Sequence, residues 1–340
     1  MKGKRLRVAI AGAGMVTRHH LKAWRRLPNI EIVAIYNRHL DRADLRAGEF
    51  GIPKTYSDIE EMLDEEKPEA LDIALAVEAH AQCCRLAADR GIPILCQKPM
   101  TPSYAEALTL VQEIGERVPF MVHENWRFRP QYRQAVRWIQ EGKTGPLREF
   151  RFSSRSSGLI VRNEMGVPFA LERQPFFARM PRLIIFELLI HHLDTIRSLA
   201  GEMEIISVTT SRISRDIIGE DLAQILLKSD GGSMGMVSGN LSAPGFPLLP
   251  QDRLELIGQR GSILFDGEEL SLRGESHETH RFTYEEFYQG SYDQAIAHFV
   301  ESLLAGIPFE TDRLDNLKTL RLVEDAYRLA RFEPIENLDE

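Results

Sequence analysis

Over the first 120 residues, short apolar runs alternate with amphipathic ones. Runs at 6–11, 31–36, 71–77, 92–96 and 118–123 are rich in Val, Ile, Ala and Leu, and each has the length of a buried strand. Between most of them lie helical patterns, at 16–27, 42–50, 59–65, 80–90 and 104–116. Gly91 after Arg90 and Pro28 after Leu27 are helix stops. Strand and helix in alternation predict an α/β unit, a doubly wound parallel sheet with helices on both faces.

Past residue 145 the rhythm changes. Segments 147–154, 205–213, 222–229, 233–241, 253–257, 262–265 and 281–284 read as successive strands, joined by turn chemistry such as Ser229-Asp230-Gly231-Gly232 and Asp266-Gly267. Strand after strand with few helices between predicts an α+β domain with a large, mostly antiparallel open sheet. Helices are expected at 183–200, 291–305 and 314–330, and 153–182 reads as a long loop rich in Arg, Gly and Pro. The division expected is a dinucleotide-binding domain over 1–123 and a substrate-binding and oligomerisation domain over 124–340, with the helices of about 291–330 packing back on the first.

Composition narrows the class. A net charge of -8 gives no basic footprint for nucleic acid. The longest apolar stretches fall short of a bilayer span. The run after Lys2-Gly3-Lys4-Arg5 is too short and glycine-broken for a secretory signal, which points to the cytoplasm. Three cysteines, Cys83, Cys84 and Cys96, make neither a disulfide framework nor a zinc knuckle and read as buried reduced thiols.

The first apolar run leads straight into Gly12-Ala13-Gly14-Met15-Val16-Thr17, where a helical pattern opens. In a dinucleotide fold the first glycine makes the turn, and the second lets backbone approach a pyrophosphate at the helix N-terminus. Thr17 stands where a third glycine is usual. The second run ends Tyr36-Asn37-Arg38, with no carboxylate for a ribose 2′-hydroxyl. Asn37 removes a repulsion against a 2′-phosphate, and Arg38 could pair with one, so the cofactor reads as NADP or NAD with a lean toward NADP.

Several motifs then line up in order. Gly12-Ala13-Gly14 with His20, His80 eleven residues before Gly91, Gln97-Lys98-Pro99, Asn125-Trp126-Arg127-Phe128-Arg129-Pro130, and Glu187, His191 and Asp194 together resemble the glucose–fructose oxidoreductase / inositol dehydrogenase / rhizopine catabolism (Gfo/Idh/MocA) family across nearly the whole chain. Glutamine stands where its Glu-Lys-Pro signature has glutamate, Glu187 where it usually has aspartate, and Leu189 where many members have glycine. The resemblance implies a Rossmann domain followed by an open mixed sheet, with hydride transfer between nicotinamide and a hydroxyl carbon, commonly of a sugar or cyclitol. It also implies dimers or tetramers packed through the sheet, and it adds His80 and Gln97 to the cofactor-binding set of Gly12, Ala13, Gly14, Met15, Val16, Asn37, Arg38 and Lys98.

Oxidising an alcohol needs a hydride acceptor, a base and positive charge near the developing alkoxide. Lys98 follows an apolar strand at its carboxyl end, where open α/β sheets bind ligands, and is the candidate for polarising the substrate oxygen. Glu187, His191 and Asp194 fall at i, i+4 and i+7, one stripe of a helix. His191 is the candidate general acid/base, with Glu187 holding hydroxyls or sharing the proton relay. Asp194 orients His191, caps local backbone or contacts substrate. Asn125 is expected to reach the nicotinamide amide or a substrate hydroxyl. Arg127 holds either an anionic or polyhydroxyl substrate or a structural salt bridge. The same Glu187, His191 and Asp194 could instead ligate a divalent ion in a sugar epimerase or lyase, and a non-catalytic NAD(P)-binding regulator is the other alternative.

Overall fold

In the computed structural model, which describes residues 5–336 and 338, the first apolar run is strand β1 (Leu6–Ala11), and Val8, Ala9, Ile10 and Ala11 are all fully buried. There follow α1 (Thr17–Arg26), β2 (Ile30–Tyr36), α2 (Leu40–Phe50), β3 (Thr55–Tyr56), α3 (Ile59–Glu66), β4 (Ala70–Ile73), α4 (His80–Asp89), β5 (Ile94–Gln97), α5 (Tyr104–Ile114) and β6 (Phe120–His123). The six strands make one sheet in the order β3-β2-β1-β4-β5-β6, every pairing parallel. A parallel strand covered on both faces has no polar side, which is why its sequence reads as a continuous apolar run rather than an alternating one. Chain order reverses between β1 and β4, and ligands of such sheets bind outside the carboxyl ends of the strands at that point.

The rest of the chain gives α6 (Pro130–Gln140), β7 (Leu147–Arg155), α7 (Phe169–Arg173), α8 (Ile190–Ala200), β8 (Met203–Ser211), β9 (Leu222–Ser229), β10 (Met234–Asn240), β11 (Gln251–Gly258), β12 (Gly261–Phe265), β13 (Glu269–Gly274), β14 (Glu278–Arg281), α9 (Tyr284–Ala305) and α10 (Arg313–Ala330). An eight-stranded sheet runs β14-β13-β12-β11-β7-β10-β9-β8, antiparallel except where β7 lies parallel to β10. The α/β class, with a parallel sheet and a large, mostly antiparallel one, is therefore as the pattern predicts. Along β9, Ala223, Ile225 and Leu227 point inward and are fully buried, while the residues between them face out.

The chain divides into two units, one built from the chain up to Phe128 with Tyr288–Leu320, the other from Arg129–Phe287 with the chain from Arg321 on. In the first unit, Tyr292, Ile296, Phe299 and Phe309 complete the core formed by Ile10, Leu21, Trp24, Ile35 and Met121. The Phe299 ring meets Trp24 edge-on at 6.0 Å and stacks on Phe309 at 5.3 Å. Buried aromatics of this size contribute roughly 2–3 kcal/mol each in transfer terms.

Several elements depart from the reading of the sequence. The strand expected at 281–284 ends at Arg281, and α9 opens seven residues before the 291 expected for its helix. The cause is a capping box. The Glu286 carboxylate accepts from the Thr283 N–H at 2.7 Å, and the Thr283 hydroxyl accepts from the Glu286 N–H at 3.3 Å. Helix α6 went unread, although Pro130 stands at its first turn and Tyr132, Ala135 and Trp138 bury one face. The segment 153–182 is not all loop, since it begins with the last residues of β7 and carries α7. Two of its five arginines are paired, Arg162 with Asp216 and Arg182 with Glu324.

Candidate active site

The glycine turn closes for steric reasons. Gly12 has φ +122°, and a Cβ there would lie 2.2 Å from the Ala74 carbonyl oxygen, because the ends of β1 and β4 touch. Only glycine fits. Around Gly14 there is open space instead, so a ligand could approach its backbone closely. Helix α1 begins just beyond with no side-chain cap and no acidic residue in its first turn, whereas α3 and α5 are capped by Asp58 and Ser103. Uncapped N–H groups and a positive helix end suit a pyrophosphate. The residues present thus fit a dinucleotide. Arg46 of α2, which sequence reasoning missed, holds this loop from behind, donating to the carbonyls of Ala13 at 3.2 Å and Gly14 at 3.1 Å. Ala13 is buried, Met15 is exposed, and Val16 is half-buried.

At the end of β2 the Asn37 side chain is used locally, its oxygen accepting the His39 N–H at 2.9 Å where α2 begins. Arg38 is exposed beside it. The acidic position of a ribose clamp is absent here, as the sequence indicates.

Lys98 stands at the carboxyl end of β5, before a cis peptide to Pro99. Two buried side chains hold this corner. Gln97 turns back so that its Oε1 accepts the Lys98 N–H at 2.7 Å. His80, at the start of α4, sets Nδ1 2.9 Å from the Pro99 carbonyl and Nε2 3.1 Å from the Leu75 carbonyl. Burial draws the His80 pKa down even though both carbonyls favour the charged ring. A neutral ring donates to only one, and Pro99 is the nearer. Behind Gln97 lie three fully buried residues, His20, Asp72 and Trp24, with His20 3.1 Å from Gln97 and 2.9 Å from Asp72. Asp72 was legible as a carboxylate inside an apolar strand, a position that must be paired. Burial also pushes the nearby Cys83 thiol up to about 12, keeping it an inert thiol.

After β6 come Asn125 and Arg127, both buried and both bonded to other parts of the first unit. Asn125 donates from Nδ2 to Ser291 Oγ at 2.7 Å. Arg127 donates to the Glu310 carbonyl at 3.1 Å and pairs with Asp315 at 2.8 Å, the structural salt bridge among its two readings. Trp126 and Phe128 are buried packing residues.

In the second unit, Glu187, His191 and Asp194 do not lie on one regular helix. Ile184–Leu189 forms a π turn, and α8 begins only at Ile190. The stripe argument therefore holds for His191 and Asp194, while Glu187 sits on a wider turn that rotates less per residue. Tertiary partners explain the widening. The buried Glu220 carboxylate accepts the N–H groups of Leu183 at 3.2 Å and Ile185 at 3.1 Å, and the Tyr327 hydroxyl accepts that of Phe186 at 3.2 Å. Burial raises the Glu220 pKa against these bonds. Glu187 is half-buried and His191 is 6% exposed. Asp194 is fully buried, 3.8 Å from Arg197, which itself pairs with Glu202. Among the described residues no group of three His, Cys, Asp or Glu side chains is placed to hold a metal ion.

His192, the neighbour of His191 on α8, is a structural anchor. Its Nδ1 lies 3.2 Å from the Leu188 carbonyl in the π turn, and its Nε2 lies 3.0 Å from Asp252. Asp252 also accepts from Arg129 at 2.8 Å and Tyr132 at 2.9 Å. Burial would raise the Asp252 pKa, but His192 and Arg129 outweigh it and hold the carboxyl at about 2.

Residues 6–122 match the Gfo/Idh/MocA oxidoreductase family's NAD-binding Rossmann fold, and residues 132–264 match that family's C-terminal domain. The chain is 32% identical to a D-apiose dehydrogenase of Paraburkholderia graminis, over 96% of this chain and 88% of the relative, and 30% identical to one of Rhizobium rhizogenes, over 96% and 95%. An Agrobacterium radiobacter oxidoreductase solved with NAD+, L-tartaric acid and magnesium superposes with a TM-score of 0.89 at 28% identity, covering 96% of this chain and 97% of that one. A levoglucosan dehydrogenase solved with NADH and levoglucosan shares the fold, at a TM-score of 0.82 and 19% identity, over 96% and 97%. No helix among the described residues is long and apolar enough to cross a membrane. With its glycine turn, its lysine at the end of β5 and both family domains in order, the chain belongs to the Gfo/Idh/MocA family of NAD-binding oxidoreductases.

Proposed function

We propose that this protein is a dehydrogenase that oxidises a hydroxyl carbon of a sugar, cyclitol or related polyol with NAD or NADP. The observation that carries the reading is the direct bridge from the helix of the glycine turn to the lysine corner, His20 of α1 against Gln97 of β5 at 3.1 Å. It sets the cradle for a pyrophosphate and an ammonium on one edge of the same parallel sheet. The nicotinamide, when bound, supplies the hydride acceptor or donor. Lys98 polarises the substrate oxygen and stabilises charge as it develops there. His191 takes or returns the hydroxyl proton, and Glu187 holds hydroxyls or shares that proton. Asp194, fully buried one turn along α8, orients His191, and His80 and Gln97 act by fixing the backbone around Lys98.

Two relatives at 30% identity or above are D-apiose dehydrogenases, which favours a small sugar among these substrates. The test is a single turnover of purified protein with NAD+ or NADP+ against a panel of pentoses, D-apiose and inositols, read as nicotinamide absorbance. No reduced nicotinamide with any of them would remove the reading. Leu226, Met234 and Ile257 are exposed apolar residues on outward positions of β9, β10 and β11 and support assembly of copies through this sheet, which light scattering reads as a dimer or tetramer.

Cofactor choice rests on Asn37 and Arg38. With no carboxylate at the end of β2, a 2′-phosphate is admitted and Arg38 offers it a counter-charge, although the Agrobacterium radiobacter structure holds NAD+. Asn37→Asp is expected to lower kcat/KM for NADP by about tenfold or more through repulsion, while changing that for NAD by less than about threefold. Equal losses with both cofactors would place position 37 away from the ribose.

A further inference from the structure

We propose that Gln97 is a positioning residue for Lys98, heading a hydrogen-bond chain of fixed direction through His20 to Asp72 that holds the His20 imidazole with its single proton on Nδ1. The inference rests on the reading of Lys98 as the oxygen-polarising group.

The direction follows from the two ends of the chain. At one end is the Lys98 backbone N–H, which can only donate, and it lies 2.7 Å from a Gln97 side-chain atom. That atom must be the amide oxygen, so the amide nitrogen faces His20 Nε2 at 3.1 Å. An amide nitrogen only donates, so His20 Nε2 must accept and carries no hydrogen. The ring proton is then on Nδ1, 3.0 and 2.9 Å from the two oxygens of Asp72. At that far end a carboxylate can only accept, and it also receives the Trp24 indole N–H at 2.6 Å. Read from either end, the chain has the same polarity, and no member is left with a donor against a donor. His20, Trp24 and Asp72 are all fully buried, where water cannot replace a lost bond.

Four elements pack on His20. Besides Asp72 of β4 and Gln97 of β5, the His123 ring of β6 lies 4.3 Å away between centroids and the Tyr292 ring of α9 lies 5.4 Å away. His19 is its neighbour on α1, and Cys96 lies close to Asp72 in the sheet. The ring is bonded to the Asp72 carboxyl on one side and to the Gln97 amide on the other.

Glutamate at position 97 would keep the size and invert this logic. Its oxygens only accept, so a ring held between that new carboxylate and Asp72 would need a proton on each nitrogen, and losing one would set two lone pairs against each other. Long-range ¹H–¹⁵N NMR of the full chain, with His20 assigned from His20→Gln, reads this without turnover. The expected result is the Nδ1–H tautomer in the parent and a doubly protonated ring in Gln97→Glu at neutral pH. The kcat of Gln97→Glu is expected to fall roughly tenfold per pH unit once the ring loses its second proton, a limb the parent lacks. An Nε2–H tautomer in the parent overturns the inference, whether or not the variant folds. So does a Gln97→Glu pH profile that superposes on the parent's. If Lys98→Met keeps full turnover while the tautomer is as expected, it is the role of Lys98 that fails and not the polarity of the chain.

Discussion

Replacing Lys98 by methionine is expected to lower kcat/KM by about 10³-fold while leaving the Kd for the dinucleotide within about threefold. Methionine keeps much of the aliphatic stem and removes the ammonium, so packing at the end of β5 changes little and the charge is lost outright. A positive group aimed at a developing alkoxide in a water-poor site typically supplies two to four powers of ten, about 3–5 kcal/mol of barrier. On the proposed reading, dinucleotide affinity rests mainly on the glycine turn, where there is open space at Gly14 and α1 starts without a side-chain cap. The measurement is single-turnover reduction of NAD+ by the best substrate, alongside a fluorescence titration with NADH. His191→Ala should show the same split with a loss of about 10²-fold or more, and its remaining activity should lose the pH limb that belongs to an imidazole. Full turnover in both variants would remove the assignment of the site.

Asp252→Ala should cost on the order of 3–5 kcal/mol of stability in its own unit, in urea unfolding near neutral pH. The substitution removes the carboxylate that Arg129, His192 and Tyr132 are buried around, and a buried charge that loses its counter-ion is the costly outcome. Asp252→Asn, which keeps the shape and some of the bonds, should lose less. The same carboxyl has an acid signature. Its folded pKa of about 2 lies below the ordinary value of 3.8, so its contribution is fully present above about pH 4. It is lost as pH falls through 2, a span worth about 2 kcal/mol. The parent should therefore lose more stability between about pH 4 and pH 2 than Asp252→Asn does, and parallel curves would show that the network carries no such charge. The effect should reach the site as well, since His192 joins Asp252 to the Leu188 carbonyl in the turn bearing Glu187.

Local chemistry explains which elements were legible. Each parallel strand of the first unit is buried on both faces, so it shows as an apolar run whatever its neighbours are, and Gly12 is demanded by a turn its own sequence announces. The capping box at Thr283 and Glu286 was equally local and was overlooked. The π turn was not legible at all. Nothing within 184–189 distinguishes it from a helix of the same apolar character; Glu220 and Tyr327, distant along the chain, take its N–H groups.

The sequence by itself determined the class of fold, the glycine turn, the missing carboxylate after β2 and the lysine that follows β5, because each depends on residues adjacent along the chain. Only the tertiary structure decided that Asn125 and Arg127 are tied to Ser291 and Asp315, and that Asp252 anchors His192. It also decided that Gln97 reaches back through His20 to Asp72. The physical reason is that a buried polar group must find its partner wherever the fold brings one, and sequence separation carries no information about that distance.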